Sequence, residues 1–85
     1  MAALRQLERR LYGIEVQFSD SSKASELADF LRGLCFEVTL LDERTLEARF
    51  REPRPANEEA ARLELDLYLR VWEAMHPGAW AVRVA

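Results

Sequence analysis

From Tyr12 to Phe18 the chain alternates, with Tyr12, Ile14, Val16 and Phe18 on one side and Gly13, Glu15 and Gln17 on the other. A period of two is that of a strand with one buried face. Ser19-Asp20-Ser21-Ser22 then offers helix N-caps, and Ala24, Leu27, Ala28, Leu31 and Leu34 recur at helical spacing. This predicts a helix of about three turns, closed by Gly33 as a left-handed cap with Leu34 folded back on the last turn. Ahead of the first strand, Leu4, Leu7 and Leu11 predict a short amphipathic helix over residues 2–10, too short to be stable undocked.

Phe36, Val38 and Leu40 alternate next, followed by Leu46, Ala48 and Phe50. Residues on one face must oppose each other, so even positions must meet even positions, and a two-residue loop would break that parity. A three-residue loop, Asp42-Glu43-Arg44, keeps it and pairs Phe36 with Phe50, Val38 with Ala48 and Leu40 with Leu46. The same register sets Glu37 against Arg49, a favourable cross-strand pair, and Thr39 against Glu47.

The segment Arg62-Leu-Glu-Leu-Asp-Leu-Tyr-Leu-Arg-Val71 fits a strand or a helix. Asn57 before it is a good N-cap, Glu58 and Glu59 suit a helix start, and His76-Pro77-Gly78 is a stop. Leucine is a strong helix former, and Glu58, Arg62, Asp66 and Arg70 alternate in sign every four residues, as in a solvated ladder of helical ion pairs. One helix over residues 58–76 is predicted. Trp80, Val82 and Val84 then alternate against Ala81 and Arg83, giving a closing strand.

The order β-α-β-β-α-β resembles the split-βαβ, ferredoxin-like plan, and the resemblance spans nearly the whole chain. It implies an α+β sandwich with strand order 4-1-3-2 and both helices on one face. Every apolar strand position named above is even-numbered, so all are expected to point toward the helices.

The long helix has more apolar surface than this plan covers. With Ala60 at zero and about 100° per residue, Leu63, Leu67, Val71 and Ala74 cluster near zero, the stripe expected to meet the sheet. Ala61, Leu65, Tyr68, Leu69 and Trp72 fall at about 80–180°, so the apolar arc is about 240° wide where a surface helix needs little more than 100°. Glu64 lies inside the arc, near the helix–sheet margin, where it can snorkel or pair with an arginine. The uncovered part, Leu65, Tyr68, Leu69 and Trp72, is the expected interface. Its cover is the N-terminal segment, a second copy, or a different protein.

Composition narrows the partners. The chain has 85 residues, one domain with a thin core, for which self-association adds useful stability. A net charge of -3 argues against gripping nucleic acid. Eleven of the 12 Lys+Arg are arginine, a thermophile-like bias that a GC-rich genome gives as readily as heat tolerance does and that carries no function. No run approaches a membrane span, and Met1–Gln6 lacks a signal-peptide core, so a cytoplasmic protein without a membrane is expected.

No chemistry stands out. Cys35 is the only cysteine and His76 the only histidine, which is expected to act as a favourable charge at the helix C-terminus. No carboxylate spacing suits acid–base work or a metal, and no glycine-rich phosphate loop is present. The expectation is a non-enzyme with no catalytic residue, metal or cofactor. RNA-recognition motifs of this plan stack bases on aromatics of the central strands, where this chain has Glu15, Gln17, Glu47 and Arg49. Metal-carrying domains place Cys-x-x-Cys after the first strand, and ACT-type regulatory domains often place a Gly or Pro there; Ser19–Lys23 has neither. The resemblance is thus to a fold and not to one family. The expected function is association, as a homodimeric interaction or regulatory module. One alternative is a nucleic-acid accessory protein using Arg49, Arg51 and Arg83 on the open sheet face as an anion site, with Arg54 at the rim and Arg5, Arg9 and Arg10 as a second basic cluster. Another is an ACT-like small-ligand domain.

Overall fold

The computed structural model describes residues 13–34, 36–51 and 57–84. The helix expected at residues 2–10, Tyr12, Cys35, Arg54 and the cluster Arg5, Arg9 and Arg10 lie outside them. The chain is α+β: β1 (Gly13–Phe18), a 3₁₀ turn (Ser21–Lys23), α1 (Ala24–Arg32), β2 (Phe36–Asp42), β3 (Thr45–Phe50), α2 (Glu58–Met75) and β4 (Ala81–Arg83). The four strands form one antiparallel sheet in the order β2-β3-β1-β4, the expected order read from its other end. Both helices bury residues in a single core with Ile14, Val16, Phe18, Phe36, Leu46 and Ala48.

Local signals act as anticipated at most boundaries. Asp20 caps the 3₁₀ turn, its carboxylate accepting from Ser22 N–H at 2.9 Å and Ser22 Oγ–H at 2.6 Å. Asn57 Oδ1 accepts from Ala60 N–H at 2.8 Å, satisfying one orphan donor at the start of α2. The stop after α2 is a β-turn closed by Ala79 N–H to His76 O at 3.0 Å. Pro77 occupies its second position, and Gly78 its third with φ of 89°, which is type II geometry. Gly33 departs from expectation: its φ is -67°, right-handed, and α1 ends instead by a tight Leu34 N–H to Leu31 O bond.

The β2–β3 register is the one expected, from Phe36↔Phe50 to Leu40↔Leu46. The tip differs. Asp42 pairs with Thr45, so only Glu43 and Arg44 turn, and a bulge between Leu40 and Asp42 absorbs Leu41. One extra residue restores the parity that a two-residue loop would break.

Two faces are reversed. Leu65, Leu69 and Trp72 of α2 point into the core, while Leu63, Leu67 and Val71 point away from it. Only one arc can face the sheet, and the arc with the indole hides more apolar area, at about 25 cal/mol per Å². That orientation also carries Asp66 and Glu73 to β4, where Asp66 binds Arg83 through two 3.0 Å hydrogen bonds and Glu73 accepts from Ala81 N–H at 3.0 Å. In β4, Ala81 and Arg83, not Trp80 and Val82, lie on the helix side, because they pair with Phe18 and Val16 of the buried face. The turn at Pro77-Gly78 delivers Ala79 and Ala81 to the core, leaving Trp80 and Val82 exposed.

Candidate association surface

The expected contact residues are spent inside the protein. Leu65 is 0% exposed, Leu69 2% and Trp72 0%, so these side chains belong to this chain's own core and not to a surface. Tyr68 is half-buried, its ring edge-on to Phe36 at 6.0 Å and its hydroxyl donating to Glu64 at 2.9 Å. That bond accounts for Glu64 within the apolar arc, where snorkelling or an arginine partner had been expected. The Trp72 ring stacks on the His76 imidazole at 4.4 Å. His76 Nδ1 lies 2.9 Å from the Trp72 carbonyl and Nε2 lies 3.2 Å from Glu26, so the C-cap side chain ties the end of α2 to α1.

The surplus apolar surface is therefore elsewhere on the same helix. Leu63, Leu67, Val71 and Met75 are 61%, 60%, 46% and 58% exposed. Spaced by four, they form one ridge along the outside of α2. The helical wheel grouped Leu63, Leu67 and Val71 but assigned them inward, and did not include Met75. The weight of Trp72 on the opposite arc was the signal that could have oriented it. The expected ion-pair ladder is broken accordingly. Glu58 and Arg62 pair at 2.9 Å, Asp66 turns to Arg83, and Arg70 makes no ion pair among the described residues.

Both edges of the sheet are capped from the helices. Arg32 donates to Val38 O of β2 at 3.0 Å, and Glu73 takes the N–H of Ala81 on β4. Each bond occupies a backbone group that an added strand would use.

The open face is acidic. Glu15 and Glu47 oppose each other on the central strands, and Glu37 joins Arg49 in an ion pair. Of the three arginines expected there, Arg49 is paired, Arg83 lies on the helix side, and Arg51 is exposed beyond β3. The two 3.0 Å bonds from Asp66 raise the Arg83 pKa above its ordinary value, outweighing the burial that lowers it. Among the described residues no group of three or more His, Cys, Asp or Glu is placed to hold a metal, and no described helix is long and apolar enough to cross a membrane. No protein-family pattern, curated protein or solved structure matches the chain.

Proposed function

We propose that this chain is a ferredoxin-like association module that forms a homodimer through the outer face of α2. The observation that carries the reading is the exposed ridge Leu63–Leu67–Val71–Met75. A second copy is the occupant that suits it best. Capped edges disfavour strand addition, and two open faces would bring Glu15 and Glu47 of both copies into one contact. A ridge of uniform four-residue spacing, by contrast, is self-complementary about a two-fold axis. Two such ridges interlock at an interaxial angle of about −50°. With Ala60, Arg70 and Ala74 at the margins, the contact buries on the order of 1,000 Å² in total, the small end of specific interfaces. The dimer is accordingly of the weak class, with a Kd on the order of micromolar.

The nucleic-acid reading retains Arg51 as its exposed arginine, beside three open-face carboxylates, and gains no support from this geometry. The test is mass in solution by light scattering across a concentration series. The wild type should double in mass, and Leu67→Glu should remain a folded monomer. A wild-type monomer at millimolar concentration, or a dimer indifferent to Leu67→Glu, overturns the proposal. Added salt should leave association intact, because burial of leucine is not screened.

A further inference from the structure

Away from α2, one end of the sheet holds an open cleft of about 380 Å³, lined by Gln17, Ser19, Arg44, Thr45 and Trp80 together with Phe18. Its walls are anchored to β1 on either side. Phe18 N–H donates to Arg44 O at 2.9 Å, and Ser19 N–H donates to Trp80 O at 3.0 Å. Trp80 N–H donates back to Ser19 Oγ at 2.9 Å, and Arg44 N–H to Asp42 Oδ1 at 2.8 Å. Arg44 and Trp80 thus stand about two strand spacings apart, about 10 Å, with the end of β1 as the floor between them. The volume is within the range of small-molecule sites.

The side chains at this end have unspent binding capacity. The Arg44 guanidinium makes no ion pair and the Gln17 amide no hydrogen bond among the described residues, and Trp80 is 47% exposed. Of the carboxylates near the cleft, Asp20 is engaged by Ser22 and Asp42 by Arg44 N–H, and the Arg44 charge also helps hold Asp20 below its ordinary pKa. The second cleft, between α2 and β4, is lined by no aromatic ring; Asp66, Glu73 and Arg83 there satisfy one another or the backbone, which leaves Arg70 as its cation without an ion pair among the described residues.

A cation, an amide and an aromatic face left open on rigid backbone are complementary to one ligand chemistry. A planar ring stacks on the indole, and an acidic group accepts from the guanidinium. We infer that the Arg44–Gln17–Trp80 cleft binds a small planar aromatic molecule bearing a carboxylate or phosphate. The ring lies against Trp80 and the anionic group meets Arg44, with Gln17 hydrogen-bonding between them. The site's lining contains no residue of the α2 ridge, and the site is complete within one copy. It therefore stands or falls independently of dimerisation.

Titration of the full chain followed by ¹H–¹⁵N NMR tests this, with indole-3-acetate and adenosine monophosphate as ring-bearing anions. Indole, acetate and inorganic phosphate serve as half-ligands. At least one ring-bearing anion should shift the Trp80 Nε1–H and Gln17 amide signals saturably. Each half-ligand should bind about tenfold or more weaker. Arg44→Ala and Trp80→Ala should each weaken binding by about tenfold while the rest of the spectrum stays native. Trp80→Phe should retain part of the affinity. No saturable shift at Trp80 with either anion, binding equal to that of a half-ligand, or binding indifferent to both alanine variants overturns the inference.

Discussion

Two substitutions two residues apart on α2 decide which of its faces builds the core. Leu69 is 2% exposed and Leu67 60%. Leu69→Ala removes enclosed methyl groups and leaves a cavity, which costs about 3 kcal/mol or more. At 0.05–0.15 kcal/mol per residue, an 85-residue chain has about 4–13 kcal/mol of total stability, so the loss is a large fraction of it. At about 4–8 °C per kcal/mol, the melting temperature should fall by about 12–24 °C. Leu67→Ala trims a side chain already mostly in water and should stay within about 0.5 kcal/mol, or a few degrees. Thermal unfolding followed by tryptophan fluorescence at submicromolar concentration, below the dimer Kd, gives both values. Equal shifts, or a larger one for Leu67→Ala, would mean that the helix is rotated from the orientation described, and the association surface would move with it.

Gly33 and Gly78 should respond oppositely to alanine in the same assay. Gly78, with φ of 89° and no atom within 4 Å of an added Cβ, should lose about 1–2 kcal/mol from backbone strain alone. Gly33 is right-handed with neighbours at 3.5 Å, so alanine there should stabilise by about 0.4–1 kcal/mol. Asp66→Ala should destabilise by about 1–3 kcal/mol because it strands the part-buried Arg83, and in Arg83→Met it should cost much less; equal costs in the two backgrounds would mean that the pair is not coupled. Ser22 holds the Asp20 carboxyl below its ordinary value, chiefly through its hydroxyl, and Arg44 N–H does the same for Asp42. A depressed acid contributes stability that is present above the unfolded value of 3.8 and is lost as pH falls through the lower folded value. Asp20→Asn should therefore flatten the loss of stability below about pH 4, and an unchanged acid limb in unfolding curves would refute that role.

Where one residue's neighbours along the chain decide its conformation, the pattern of side chains was sufficient. Asn57 and Pro77-Gly78 bound α2 because a cap and a type II turn are properties of a few adjacent residues. The β2–β3 register follows from parity, and so does the Glu37–Arg49 pair. The bulge at Leu41 was not legible, since a three-residue loop and a two-residue turn with a bulge satisfy the same parity. None of the three donors that define the cleft forms a motif, because Gln17, Arg44 and Trp80 meet only across strands.

The amino-acid order by itself thus determined the kinds of elements, their succession and the hairpin pairing, all set by short-range stereochemistry and a period of two or 3.6. Tertiary structure alone decided which side of α2 and of β4 is inside. Both segments carry apolar residues on opposite faces, so local pattern is degenerate. The choice falls to what lies across the gap: room for the Trp72 indole against the sheet, and Asp66 and Glu73 within reach of Arg83 and the Ala81 N–H.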